Sequence, residues 1–355
     1  MNAFRFYVAF SLALVTGCGA RFHQVVESKF YVLTAGINFI TIYANPYHGD
    51  GLRLATHYTK EDLGLTYLYP YVALFDPLHQ FIYIPNRTGN QLLSYQLNSD
   101  LGTLLPVSSL TVSNPRGLVA DSSFTHLYAS YGGPGGIQPV SLDRATGAME
   151  TQGFGVLATS SQEMLISPNE RFVFTHAAQT GQMYVFLRNA TTGNLSSGSN
   201  AYDFGTGAAR NFAFSDDGTQ LVVADSILNK VYLMDIHPDL GTLSLRQTIS
   251  LTEPKDVIRC GPNRDFYVSG PQNLWRYTLA DGVLTQAQAL VMPGTLSRLG
   301  CRPDSAALFA VMTGGVANEI VTFGFVENGD AYPMSYVTIP TTTYTPEVLT
   351  VMRGR

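Results

Sequence analysis

One pattern recurs about every 45 residues along this 355-residue chain, and a repeat of that length constrains the fold more than any other feature. Each copy is an apolar strand, a Pro/Asp/Asn/Gly turn, a second strand rich in aromatic and β-branched residues, a loop, and a third alternating strand. A Gly often precedes a fourth strand. Six copies are clear, beginning at Tyr71, Arg116, Glu163, Arg210, Lys255 and Ser297, and the last has a poorer fourth strand. Period-two alternation marks the strands, and Asp217-Gly218 and Pro262-Asn263 sit where a hairpin turn belongs. No stretch combines helical period with caps.

Four-stranded units of this length, repeated radially, are β-propeller blades, because each needs neighbours to cover both of its faces. The two ends supply a seventh unit. FYVLTAG, NFITIYAN and GLRLATHY read as strands two to four, and TPEVLTVMRGR reads as a lone first strand. The expectation is an all-β, seven-bladed β-propeller of four-stranded antiparallel blades, closed by pairing of the N- and C-terminal strands. It forms one domain over residues 28–355. Composition agrees, with 33 Gly and 18 Pro spread through the chain, as turn-rich β proteins have. An apolar share of 45% excludes disorder. The net charge of −5 argues against nucleic acid as a partner. Three cysteines make neither a disulfide scaffold nor a zinc site, and no cofactor motif is present.

The N-terminus reads as an address. Arg5 precedes an apolar run from Phe6 to Val15, too short for a bilayer span of about 20 residues. Val15-Thr16-Gly17-Cys18 resembles the lipobox of bacterial lipoproteins. The resemblance implies a signal peptide over residues 1–17, a lipidated tether over 18–27 and lipid on Cys18 as the membrane anchor. Gly19 after the Cys favours the outer membrane of the bacterial cell envelope in that family.

The repeats resemble the lactonase-type seven-bladed propellers, which include bacterial 6-phosphogluconolactonases and fungal carboxymuconate cyclases. The likeness rests on Phe214-Ser215-Asp216-Asp217-Gly218 and Ile166-Ser167-Pro168-Asn169 after first strands, and on Val231-Tyr232-Leu233-Met234-Asp235 in a third strand. It rests too on Leu-Gly-Thr-Leu opening fourth strands, at Leu101–Leu104 and Leu240–Leu243. The family's active-site marks are largely missing. Its Pro-His-x-His segment is Ser161-Gln162-Glu163-Met164-Leu165 here, and its Gly-Pro-Arg-His segment is Gly207-Ala208-Ala209-Arg210-Asn211. Its glutamate falls at Ala224-Asp225-Ser226.

Two functions follow. The first is a lipid-anchored ligand- or protein-binding scaffold, whose partner is an envelope protein or a small anionic ligand. The alternative is a lactone hydrolase, a carboxylic ester hydrolase with a rebuilt site, in which Arg210 holds an anion and His176 or Asp225 moves protons. Arg116, Arg210, Lys255 and Arg298 all lead into first strands, which line a propeller's channel, so they form the expected ligand-binding set. Glu163, Asp225, Asp256 and His176 fall among them. Cys260 and Cys301 occupy equivalent positions in adjacent blades, either as a disulfide or as two buried thiols.

Overall fold

The computed structural model describes residues 30–45, 51–132, 135–153, 155–157, 161–177, 180–196, 198–205, 209–315, 317–340 and 345–353; of residues 157, 161, 162, 209 and 210 only the backbone is described. Among the described residues there are seven antiparallel sheets and no helix. The first blade holds β1 (Phe30–Gly36), β2 (Phe39–Asn45) and β3 (Arg53–Thr59). The second holds β4 (Leu74–Asp76), β5 (Phe81–Asn86), β6 (Gln91–Asn98) and β7 (Thr103–Thr111). The third holds β8 (Pro115–Ala120), β9 (His126–Tyr131), β10 (Gly136–Leu142), β11 (Met149–Thr151) and β12 (Val156–Leu157). The fourth holds β13 (Ser161–Ile166), β14 (Phe172–Ala177), β15 (Gln182–Leu187) and β16 (Ser199–Asp203). The fifth holds β17 (Ala209–Phe214), β18 (Gln220–Asp225), β19 (Lys230–Ile236) and β20 (Leu243–Ser250). The sixth holds β21 (Asp256–Cys260), β22 (Asp265–Gly270), β23 (Asn273–Ala280) and β24 (Val283–Val291). The seventh holds β25 (Thr295–Cys301), β26 (Leu308–Thr313), β27 (Glu319–Phe325) and β28 (Ala331–Thr338). Finally β29 (Val348–Arg353) returns to the first blade and pairs β1 from Ala35↔Val348 to Phe30↔Arg353. Through this pairing β29 takes the innermost place in the first blade and covers β1, which would otherwise be its inner edge.

Burial follows each strand's position. The second strands β5, β14, β18 and β22 are buried at every residue, because neighbouring blades cover both their faces. The outermost strands β20, β24 and β28 alternate toward solvent over most of their length. Six blades shift register by one residue between third and fourth strands, as at Leu233/Met234 and Arg276/Tyr277. Such bulges add right-handed twist where a blade fans outward. In the third blade that outer strand is broken instead, and β11 and β12 pair separate halves of β10.

The Leu-Gly-Thr-Leu motif has a physical cause. Gly102 and Gly241 close the turn between third and fourth strands with φ of +67° and +68°. They also sit against an aromatic ring on the second strand of the preceding blade. A Cβ on Gly241 would lie 2.9 Å from Phe172 Cδ1, and one on Gly102 would lie 3.0 Å from Tyr31 Cε1. In three blades the ring is a tyrosine whose hydroxyl donates into this turn: Tyr31 to Ser99 O, Tyr128 to Gly193 O and Tyr267 to Gly329 O, at 2.5, 2.8 and 2.5 Å. Glycine therefore supplies both the left-handed backbone and the close approach between blades.

The terminal segments read as strands two to four and one are β1, β2, β3 and β29. One detail differs from expectation. The fourth strand of the last repeat is a full eight-residue strand, paired with β27 from Phe325↔Ala331 to Glu319↔Thr338 with the same one-residue shift as other blades. The signal peptide, the tether and Cys18 lie outside the described residues.

Candidate active site

The first strands enclose a central cavity of about 530 Å³, within the range of small-molecule sites. Leu165, Ala213, Val257 and Leu299 form part of its apolar wall. Each blade's first strand runs along the channel, so residues at its leading end converge. That geometry gathers Glu163, Asn211, Asp256, Arg298 and Glu347 at one end of the cavity. They come from β13, β17, β21, β25 and the residue before β29.

Arg298 is the hub. Its Nη1 donates to Glu163 Oε1 at 3.1 Å and to Asn211 Oδ1 at 3.4 Å. Asn211 is held in turn by donating to the Lys255 carbonyl at 2.8 Å. The Glu163 carbonyl accepts from Thr175 Oγ1 at 3.0 Å. Asp256 accepts the Leu299 N–H through Oδ2 and the Val257 N–H through Oδ1, each at 2.8 Å. This hydrogen bond to Leu299 ties β21 to β25 beside the cluster.

The electrostatics follow from three carboxylates sharing one guanidinium. Burial pushes Asp256 up to about 7; Arg298 and two backbone N–H groups pull it down, while Glu163 raises it further. Burial also raises Glu163, offset only in part by Arg298 and reinforced by Glu347. Burial works against the charge on Arg298, but Glu163 and Asp256 outweigh it and hold the guanidinium above its ordinary value. A carboxyl poised near neutrality beside a fixed cation can both take and give a proton at physiological pH.

The structure brings together Arg298, Glu163 and Asp256 and places Lys255, Arg116, His176 and Asp225 away from the residues lining the cavity. Lys255 leads into its strand but is spread onto the rim, where Nζ meets Glu253 Oε2 at 2.9 Å. Arg116, on β8 beside β13, is not among the residues lining the cavity and lies near Arg87 and Tyr71. Arg210 is on β17 as expected, with its side chain outside the described residues. His176 is the last but one residue of β14 and Asp225 the last of β18, and both are buried. His176 is 1% exposed and Asp225 fully buried, and neither lines the cavity. Asp225 Oδ1 accepts from the Ile227 and Leu228 N–H groups at 2.9 Å each, which makes it the organiser of its own turn. Cys260 and Cys301 are joined as a disulfide with Cα atoms 5.6 Å apart, linking the strands that carry Asp256 and Arg298.

Glu347 was not singled out by sequence. Its signal is its repeat position, just ahead of a first strand, in a blade whose first strand stands alone at the far end of the chain.

Comparison with known proteins places this geometry. Residues 155–259 match the family model described as "Lactonase, 7-bladed beta-propeller". No curated protein matches the sequence. Among solved structures, a candidate 6-phosphogluconolactonase from Bacteroides fragilis superposes with a TM-score of 0.73 at 13% identity, covering 94% of this chain and 100% of that one. A periplasmic gluconolactonase from Pseudomonas aeruginosa gives 0.72 at 14% identity, covering 92% and 100%. A candidate 6-phosphogluconolactonase from Bacteroides uniformis gives 0.61 at 20% identity over 71% and 79%. The chain is a seven-bladed β-propeller whose residues 155–259 are similar to the lactonase-type propellers, and at these identities the structures speak to its fold alone.

Proposed function

We propose that this lactonase-type propeller is a hydrolase that opens a lactone ring in its central channel. The observation carrying the proposal is the cluster of Arg298, Glu163 and Asp256 at one end of a small-molecule cavity. The match of residues 155–259 to the lactonase model supports it. The scaffold function has no comparable support, and the alternative anticipated from the sequence fits better. In this proposal Arg298 and Asp256 take the roles that the sequence suggested for Arg210 and for His176 or Asp225.

The chemistry runs as an addition and an elimination. Ionised Asp256 takes a proton from water as the water oxygen bonds to the lactone carbonyl carbon. Negative charge develops on the carbonyl oxygen and is met by Arg298, whose orientation Glu163 and Asn211 fix. The ring C–O bond then breaks, and the ring oxygen leaves as an alcohol with the proton from Asp256. The product is a hydroxy acid, which ionises to solvent. Purified protein should show saturable hydrolysis of at least one member of a panel of sugar and acyl lactones. Rates at the uncatalysed background across the panel would overturn the proposal.

The place of action we propose is the bacterial envelope, with lipid on Cys18. The lipobox-like leader supports this, as does the fold shared with a periplasmic gluconolactonase. Cys18→Ser should move the protein from the membrane fraction to the soluble one, and unchanged sedimentation would refute the anchor.

A further inference from the structure

Two arginines beside the cavity, Arg87 and Arg116, form no ion pair with a carboxylate among the described residues. Arg87 follows β5 and Arg116 is the second residue of β8, so the exit of one second strand and the start of the next first strand bring them to the same end of the propeller. Arg87 is fixed in place. Its Nε donates to Asn114 Oδ1 at 3.0 Å, its Nη1 donates to the Tyr71 hydroxyl at 2.5 Å, and its backbone N–H donates to the Tyr69 carbonyl at 3.1 Å. Its guanidinium carbon lies 5.6 and 5.5 Å from the ring centroids of Tyr69 and Tyr71, which stack on each other at 5.0 Å. Tyr71 in turn lines the central cavity.

Arg116 is half-buried and, among the described residues, makes neither a hydrogen bond nor an ion pair; its Nε is shut off from solvent with no acceptor among them. Burial, and then the Arg87 charge beside it, lowers its pKa. By contrast Arg188, Arg259, Arg276 and Arg298 each hold a carboxylate within 3.2 Å. Two neighbouring guanidiniums without a counter-charge, in a chain of net charge −5, leave an unmet demand for an anion.

We infer that Arg87 and Arg116, with the Tyr71 hydroxyl, form an oxyanion-binding subsite at the edge of the cavity that takes a carboxylate or phosphate group. The arrangement suits such a group because Arg87 is held by Asn114 and the tyrosines, while Arg116 has all its donors to spare. If the channel hydrolyses lactones, the subsite selects substrates that carry an anionic group remote from the ring. The binding claim itself stands without that reaction.

The test is binding, read without turnover. Thermal unfolding of the whole protein is followed with increasing inorganic phosphate or acetate, each against chloride at equal ionic strength. A ligand that binds only the folded state raises the midpoint with concentration. The inference expects a rise with at least one anion, phosphate alone identifying a phosphoryl group and both identifying a general oxyanion site. In Arg116→Gln the apparent affinity should fall about tenfold or more, as loss of a charge-assisted contact implies. Arg87→Lys, which keeps the charge but loses the fork, should weaken binding as well. Lys255→Gln, which removes a rim cation already paired, should leave it unchanged. No rise with either anion, or an equal loss in Lys255→Gln, would overturn the inference. Because the readout is stability, an inert lactone panel would refute the hydrolase and leave this result standing.

Discussion

A chain ending at residue 346, without β29, should fail to reach the native ring. It is expected to elute as expanded or aggregated material and to lose the cooperative unfolding transition of the full chain. The strand contributes six backbone pairs to β1 and buries Val348 and Met352, at 2% and 0% exposure. Leu349 and Val351 pack against the cluster that holds Val32 and Phe309. Thr350 Oγ1 donates to the Ala73 carbonyl at 2.8 Å, and Gln80 Nε2 to the Arg353 carbonyl at 3.1 Å, so β29 also bonds to the second blade. Each fully buried apolar side chain is worth about 1.5–3 kcal/mol, against a total stability of roughly 5–15 kcal/mol. Losing the strand also bares β1 as an apolar edge ready to pair with other chains. Met352→Ala gives a milder version, costing about 2–5 kcal/mol in urea denaturation. A truncated chain that unfolds cooperatively near the full-length midpoint would mean the ring does not depend on this closure.

Arg298→Gln should abolish most of the turnover. Removing one preorganised oxyanion donor typically lowers kcat by about 10²–10³. The substitution also leaves Glu163, Asp256 and Glu347 around a neutral side chain. The side chains of Arg298 and Glu163 are 20% and 27% exposed, so the stability cost should fall below the 3–5 kcal/mol of a fully buried pair, at about 2 kcal/mol. The sign with pH is fixed. At high pH the acids must ionise without their counter-charge, so the loss is largest there and shrinks as they protonate on the acid side. A variant with wild-type kcat would remove Arg298 from the reaction.

The fold was legible because the repeat writes one structural demand many times. The left-handed glycine after the third strand and the aromatic on the preceding blade's second strand are fixed by the same inter-blade contact, so both recur in the sequence. The site was only partly legible. Arg298, Asp256 and Glu163 stood out by their place at the start of the repeat's first strands, and the structure holds them within β25, β21 and β13. Asp225 and His176 lie near the end of second strands, which neighbouring blades cover on both faces, so they are buried and do not line the cavity. Arg87 escaped notice because it follows a second strand, in a turn where a cation reads as ordinary surface. The paired or unpaired state of each arginine depends on contacts across blades, such as the 135 residues between Glu163 and Arg298, and no local pattern records these.

The most direct measurement is the pH dependence of kcat/KM for lactone hydrolysis by the wild type and Asp256→Asn. Asp256 must be ionised to take a proton from water, so the wild-type rate should rise with pH and level off above a midpoint near 7. Asp256→Asn should lose that limb and most of the rate, while circular dichroism shows the propeller intact. A midpoint near the usual carboxylate range, or an Asp256→Asn profile that matches the wild type, would contradict the assignment of this cluster as the hydrolytic site.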